Sequence, residues 1–176
     1  DEPILIAGQL PEPTPEAVKQ QMRDAAKNLV RTGSGNGSIL PLNDGYRAAI
    51  VPGKAGLCDA AIAIGNADAC VVFDGLRISV LGNQVGSRLS AVSPAGEPGW
   101  IADNGGLSLT QPLELAGEQF NLTARLWSQG SGLRIKLDCP KRITDFALGS
   151  ADQKAPRVYY GHGYCIVEPE AFQAGF

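Results

Sequence analysis

The sequence predicts a mainly β protein, an antiparallel β-sandwich with one amphipathic helix near its N-terminus. The hydrophobic pattern is helical only before residue 38 and then alternates with the period of a strand. Beyond that point turn residues recur about every 8–12 positions, the spacing of all-β domains. The 176 residues, which include 22 Gly and 12 Pro, suffice for one domain with its own core. We therefore expect a lead-in, a helix and a Gly-rich linker over 1–37, and the sandwich over 38–176.

The helix is expected over 14–32, after an extended, proline-rich start. Thr14 is suited to the N-cap, Pro15 to the first helical position and Gly33 to the end of the helix. Two placements remain open, one with the helix packed on the sandwich and one with it leading in from another domain. Apolar residues recur on one face of this helix: Val18, Met22, Ala25, Ala26, Leu29 and Val30.

A β-hairpin is predicted around Asp74–Gly75, because this dipeptide is favoured in two-residue type I′ turns. Paired residues of a hairpin share one face of the sheet, so an apolar set of pairs indicates a buried face. The pairs that this turn creates are all apolar: Phe73 with Leu76, Val71 with Ile78 and Ala69 with Val80.

Residues 107–138 predict a three-stranded antiparallel meander with strands over 107–116, 119–127 and 133–138. A turn at Gly117–Glu118 gives one set of apolar pairs: Leu115 with Phe120, Leu113 with Leu122 and Leu109 with Leu126. A turn at Gln129–Gly130 gives another: Leu126 with Leu133, Ala124 with Ile135 and Leu122 with Leu137. Both sets bury the same side of the central strand, which supports the register. The opposite face is expected to meet solvent or a partner: Ser108, Glu114, Gln119, Asn121, Thr123, Arg125, Arg134 and Lys136.

The remaining segments are less regular. Strands are expected at 141–148 and within 157–167, where the pattern is apolar and aromatic. The interval 82–106 is rich in Gly, Pro and Ser and is expected to be mostly loop, with one strand candidate at 88–93.

Composition excludes several classes of protein. No apolar run approaches the roughly 18 residues of a membrane span. With 15 Lys+Arg against 18 Asp+Glu, the chain offers no basic field for nucleic acid. A single His excludes zinc sites that need two or three imidazoles. We expect no metal site and no cofactor.

Four cysteines, Cys58, Cys70, Cys139 and Cys165, leave the redox state open. They contain no C-x-x-C pair, so their spacing is poor for a zinc knuckle or a redox motif. Either two disulfides in an exported protein or four buried thiols fits this number. A bridge from Cys58 to Cys70 is the shortest pairing. We expect a secreted or periplasmic protein, already trimmed at its N-terminus and ending as a fragment at Phe176.

The candidate ligand-binding residues are Trp100, Tyr160, His162 and Tyr164. Three of the four tyrosines and the only His lie close together in the segment 157–165, where alternation along one strand places Tyr160, His162 and Tyr164 on one face. Aromatic rings with a polar tip suit a ligand surface, and sugars offer both apolar faces and hydroxyls. Interior packing explains the same residues, and acid–base work by His162 with Tyr160 and Arg157 is a third interpretation.

The segment Arg-Val-Tyr-Tyr-Gly-His-Gly-Tyr-Cys-Ile-Val-Glu-Pro, which starts at Arg157 and follows the strand at 133–137, resembles part of large secreted bacterial proteins of the glycoside hydrolase type. The resembling part is an accessory sandwich of the mutarotase-like supersandwich kind, upstream of a catalytic domain. The similarity covers residues 107–176. It implies a carbohydrate-related, non-catalytic sandwich and an adjoining catalytic domain, and it carries over no catalytic position.

Three functions are consistent with these observations. The first is a non-catalytic sandwich of an exported carbohydrate-active protein, a scaffold or a glycan-contacting module with a polysaccharide as partner. The second is a lyase or hydrolase that cleaves polysaccharide with His162 and Tyr160 or Tyr164. The third is a structural or assembly domain of a cell surface, which needs only the fold.

Overall fold

A computed structural model of the chain describes residues 14–85, 91–103, 105–130, 132–150, 158–161 and 164–167. One helix, α1 (Pro15–Thr32), precedes two antiparallel sheets. Sheet A has six strands: β1 (Ser38–Pro41), β2 (Arg47–Gly53), β3 (Gly56–Gly65), β4 (Cys70–Val80), β5 (Asn83–Gln84) and β11 (Ile143–Ser150). Their order is β1–β2–β3–β4–β11, and β5 also pairs with β4. A short 3-10 turn, Asn43–Gly45, joins β1 to β2.

Sheet B has seven strands: β6 (Val92–Pro94), β7 (Gly99–Asp103), β8 (Gly106–Leu115), β9 (Glu118–Gln129), β10 (Gly132–Asp138), β12 (Val158–Gly161) and β13 (Tyr164–Val167). Their order is β12–β13–β10–β9–β8–β6, and β7 also pairs with β8. This mainly β, two-sheet architecture with one N-terminal helix confirms the predicted fold class.

The two sheets enclose one apolar core. Ile62, Ile64 and Phe73 of sheet A belong to the same buried cluster as Leu113 and Leu122 of sheet B. Both leucines were predicted to point inward, and their exposed fractions are 0% and 4%. The opposite face of sheet B is polar as predicted, with Gln119, Asn121, Arg125 and Lys136 exposed. Burial of one face only explains why the strands of sheet B alternate so regularly.

Helix α1 packs on the outer face of sheet A. Its cap is as predicted, because the Thr14 hydroxyl accepts a hydrogen bond from the Ala17 amide and Gly33 ends the helix with φ 73°. A second buried cluster joins three helix residues to small residues of the sheet: Ala26, Leu29, Val30, Ala49, Ala61, Ala63 and Val72. Strand β3 is therefore apolar on both faces. Val18, predicted on the buried stripe, is 39% exposed and lines a groove beside the helix.

The predicted hairpin at Asp74–Gly75 is wrong. Residues 70–80 form one continuous strand, β4, which pairs with β3 and β11. Leu76 lies opposite Leu148 and Phe73 opposite Ser150, so two residues of β4 oppose one residue of β11 in a bulge. Gly75 supplies the positive φ, 74°, that the bulge needs.

The meander 107–138 is confirmed, but its register differs from the predicted one by two residues in both hairpins. Leu113 pairs with Phe120, and Leu126 pairs with Ile135. The first turn is Ala116–Gly117, with φ 53° and 82°, which is a type I′ turn. A shift of two residues keeps every side chain on its predicted face.

Two other predictions need correction. Among the described residues of 82–106, more lie in strands than in loops, since this interval holds β5, β6, β7 with Trp100, and the first residue of β8. Only the end of the strand candidate at 88–93 coincides with a strand, β6, and residues 86–90 lie outside the described part of the chain. The segment 157–167 forms two strands, β12 and β13, rather than one. The strand expected at 141–148 is confirmed as β11.

The alternative with two disulfides is also wrong, because Cys58, Cys70 and Cys139 are free thiols. Cys70 pairs with Gly65, and Cys58 lies seven residues before Gly65 on the same strand. That separation is about 23 Å at 3.3 Å per residue, whereas a disulfide needs Cα atoms about 6 Å apart.

Candidate functional site

A groove of about 730 Å³ lies where the first turns of α1 meet one end of the sandwich. Three parts of the chain form its walls: the helix, the tip of the β2–β3 hairpin and the segment that leads into β7. Its apolar lining comes from side chains of all three: Pro15, Val18, Met22, Pro52, Pro98 and Trp100. Charged residues of both signs lie among them: Lys19, Lys54, Asp59 and Glu97. The groove thus combines an apolar surface with several hydrogen-bonding groups, as small-molecule sites do.

Of the predicted ligand-binding residues, Trp100 is the one whose side chain the structure describes, and it lines this groove. The sequence predicted mostly loop in the interval around it, but Trp100 sits on β7 opposite Leu109 and packs against the sandwich core. The residue is half-buried, and its indole Nε1 makes no hydrogen bond within the described part of the chain. A buried N–H without an acceptor is unfavourable by about 1–3 kcal/mol.

The wall beside Trp100 is held by Gln111, the only buried polar residue among those described. Its Nε2 donates hydrogen bonds to the carbonyl oxygens of Gly96 at 2.9 Å and Pro112 at 3.0 Å. The Ala95 amide also donates to the Pro112 carbonyl at 2.9 Å. These bonds fix the backbone immediately before Glu97 and Pro98.

Asp59 forms part of the opposite wall. Its carboxylate accepts a hydrogen bond from the Ala55 amide at 2.8 Å, which fixes the tip of the β2–β3 hairpin. Burial raises the pKa of Asp59 above its ordinary value, and backbone hydrogen bonds oppose that rise. A half-buried carboxylate of this kind suits the acceptance of hydroxyl hydrogen bonds.

A second cavity of about 490 Å³ shares three lining residues with the groove: Lys19, Met22 and Asp59. Cys58 and Asp74 line the second cavity. Burial raises the pKa of the Cys58 thiol to about 12, so the thiolate population at neutral pH is very small. The cavity therefore lacks an activated thiol nucleophile.

The other predicted site residues are not brought to this groove by anything that the structure describes. His162 and Arg157 lie outside the described residues. Only the backbones of Tyr160 and Tyr164 are described. Tyr160 pairs with Cys165, and Tyr164 pairs with Gly161. Because β12 and β13 are separate strands, alternation along one strand does not place Tyr160 and Tyr164 on the same face.

A cluster that the sequence prediction missed lies on the outer face of sheet B. The Cζ atoms of Arg125 and Arg134 each lie 5.9 Å from the centroid of the Trp127 ring. Trp127 and Arg134 are paired residues of β9 and β10. The signal in the sequence was the Arg-x-Trp spacing at 125–127 together with the basic residues at 134 and 136.

Comparison with known proteins finds no family model, no curated protein and no solved structure that matches the chain. Within the described residues, no three His, Cys, Asp or Glu side chains lie together as a metal site. No helix in that part of the chain is long and apolar enough to cross a membrane. The class that the fold defines is a β-sandwich, and the groove beside Trp100 is its candidate binding site.

Proposed function

We propose that this chain is a non-catalytic sandwich module of an exported carbohydrate-active protein, and that it contacts a glycan in the groove beside Trp100. The observation that carries the proposal is the position of Trp100, which lines the groove together with the apolar side chains of Val18, Met22 and Pro98. Aromatic rings bind the apolar C–H faces of sugars, while polar groups around them bind the hydroxyls.

The composition of the groove supports a neutral or weakly polar ligand. Lys19 and Lys54 are matched by Asp59 and Glu97, so the lining carries equal numbers of formal charges of each sign. Such a set offers donors and acceptors without a net field. Pro52 and Pro98 add rigid apolar surface, which orders little on binding and so limits the entropic penalty of association.

The test is the affinity of the chain for soluble neutral polysaccharides, such as xylan and galactomannan, measured by isothermal titration or affinity electrophoresis. Trp100→Phe keeps an aromatic ring in the core but removes the N–H and part of the stacking surface. We expect it to weaken binding by roughly threefold to tenfold, since part of the ring that contacts the sugar is lost. Glu97→Gln tests the polar side of the groove and should weaken binding less.

Trp127→Phe is the matched control, because Trp127 lies on the outer face of sheet B and away from the groove. It should leave the affinity for neutral polysaccharides unchanged. Circular dichroism melting of each variant verifies that it is folded. Equal affinity in wild type and Trp100→Phe, or no binding of any polysaccharide tested, contradicts glycan contact at this groove.

A further inference from the structure

We propose that the cavity of about 490 Å³ lined by Cys58 and Gln84, the Gln84 cavity, is a second subsite for the glycan bound beside Trp100. The ligand is then a linear, neutral oligosaccharide that spans both spaces. That this ligand is a carbohydrate rests on the proposed function. That it reaches the Gln84 cavity follows from the residues shared by the two spaces, from their polar groups and from their charges.

The Gln84 cavity adjoins the Trp100 groove. Both spaces are lined by Lys19 and Met22 of α1 and by Asp59 of β3. Lys19 and Met22 are three residues apart on the helix and therefore share one of its faces, while Asp59 belongs to the sheet on which this helix packs. Lys and Met have long, flexible side chains. A ligand that crosses this boundary therefore meets side chains that can change rotamer.

The lining of the Gln84 cavity suits a sugar ring. Gln84 is exposed, and its amide offers both donors and an acceptor, as a hydroxyl does. Ala60, Ala61 and Gly149 add little bulk, which leaves space for a ring. Burial raises the pKa of Cys58 to about 12, so this residue is a neutral, weakly polar wall at pH 7. The cavity thus combines hydrogen-bonding groups with apolar surface, as the groove does.

The two spaces also have the same balance of charge. Among the described lining residues, the cavity has Lys19 and Arg77 against Asp59 and Asp74, and the groove has Lys19 and Lys54 against Asp59 and Glu97. A neutral repeating unit therefore meets similar surroundings in both spaces. A polymer with one charge on every unit finds no net field of opposite sign in either of them.

The sizes of the two spaces favour one long ligand over two unrelated ones. The cavity of about 490 Å³ and the groove of about 730 Å³ each match a small-molecule site of about 300–1,000 Å³. A ligand that reaches two neighbouring sites gains affinity, because its second contact is intramolecular. A linear oligosaccharide repeats one unit along its length and meets this condition. Two separate small molecules gain nothing from the adjacency.

The experiment is an isothermal titration series with neutral, linear xylo- and manno-oligosaccharides, from the disaccharide to the hexasaccharide. We expect the affinity to rise at least about tenfold along the series, because the longer members reach both spaces. Gln84→Leu removes the amide at similar size. It should weaken binding of the hexasaccharide roughly threefold to tenfold and leave the disaccharide unaffected. Gln84→Trp fills part of the cavity and should abolish the gain in affinity with length.

Gln119→Leu is the matched control, because it makes the same exchange at an exposed glutamine on the outer face of sheet B. It should keep the whole gain with length, and circular dichroism melting verifies that each variant is folded. The subsite is overturned, and the Trp100 groove alone binds the glycan, if the disaccharide binds as tightly as the hexasaccharide or if neither Gln84 variant reduces the gain. An equal loss in Gln119→Leu overturns it too, because the effect is then not local. If no member of the series binds, the proposed function fails and the subsite with it.

Discussion

The guanidinium of Arg23 binds both carboxylate oxygens of Asp74, with Nε–Oδ1 and Nη2–Oδ2 distances of 2.8 Å. Arg23 lies on helix α1, and Asp74 lies at the bulge of β4. The pair therefore joins the helix to the point where sheet A is irregular. Val18 and Met22 of the same helix line the Trp100 groove.

The first prediction concerns this ion pair. The hydrogen bonds from Arg23 hold the pKa of Asp74 below its ordinary value. A carboxyl with a lowered folded-state pKa contributes stability that is present above the unfolded-state pKa of about 3.9 and is lost as the pH falls through the folded-state value. Asp74→Asn should lower the free energy of unfolding by about 1–2 kcal/mol at pH 7 and remove this part of the acid dependence. Urea unfolding at neutral and acidic pH measures both.

Asp68→Asn is the control for that experiment, because Asp68 is exposed and remote from Arg23. Arg23→Gln alone and with Asp74→Asn completes a double-mutant cycle. A coupling free energy of zero in the cycle would show that the contact does not stabilise the fold.

The second prediction tests the bulge in β4. Gly75 has φ 74°, and a Cβ atom there would lie 2.6 Å from the Leu57 carbonyl oxygen. Gly82 has a similar φ, 81°, but nothing lies within 4 Å of its Cβ position. Both Gly→Ala variants incur backbone strain of about 1–2 kcal/mol, and Gly75→Ala adds about 1–3 kcal/mol of overpacking. The free energy of unfolding, measured with a chemical denaturant, should therefore be well below that of Gly82→Ala in Gly75→Ala. Equal free energies in the two variants would argue against the bulge.

That bulge explains why the sequence predicted a hairpin where the structure has one strand. A two-residue turn at Asp74–Gly75 and a bulge at the same place both bring Phe73 and Leu76 to the same face. In a turn they become cross-strand partners, whereas in a strand the extra residue reverses the alternation. The apolar pattern and the glycine are thus the same in both cases. Only the pairing of β4 with β11, which lies about 70 residues further along the chain, distinguishes them.

The meander 107–138 also shows what the alternation of apolar and polar residues cannot predict. Alternation fixes which face of a strand is buried, so Leu113 and Leu122 were placed correctly. It does not fix the register, because a shift of two residues preserves every face. Ala116, rather than Gly117, begins the turn although it must adopt φ 53°. A non-glycine residue in that conformation is not expected from its type.

The error in register also hid the cluster on sheet B. In the predicted register Arg134 stands opposite Arg125, whereas in the structure it stands opposite Trp127. The sequence therefore indicated a polar face but not the arrangement of its residues.

Trp100 was predicted to bind ligand because it is a tryptophan in an interval rich in Gly and Pro. The groove around it is built by α1, the β2–β3 hairpin and the segment leading into β7. These elements are far apart in the sequence, so no local pattern predicts that they meet.

The third prediction follows from the turn at Ala116–Gly117. Type I′ turns require positive φ at both central residues, and Asn-Gly is the preferred pair. Ala116→Asn should raise the free energy of unfolding by about 0.5–1 kcal/mol, because Asn adopts this conformation more readily than Ala. Gly117→Ala is the opposite control and should lower it by about 1 kcal/mol. Both are read from urea midpoints, and a loss of stability in Ala116→Asn would argue for a different turn.

The last prediction concerns the thiols. Burial raises the pKa of Cys58 to about 12, whereas for Cys70 the cations of Lys27 and Arg31 oppose the rise that burial causes. A thiol reacts as its thiolate, so Cys58 should react with a disulfide reagent at pH 8 at least about tenfold more slowly than Cys70. Variants that keep one cysteine and replace the others by Ala allow each rate to be measured, and denaturation in urea should make the rates equal. Similar rates in the folded protein would show that Cys58 is open to solvent, and an unreactive Cys70 would show that it is not a free thiol.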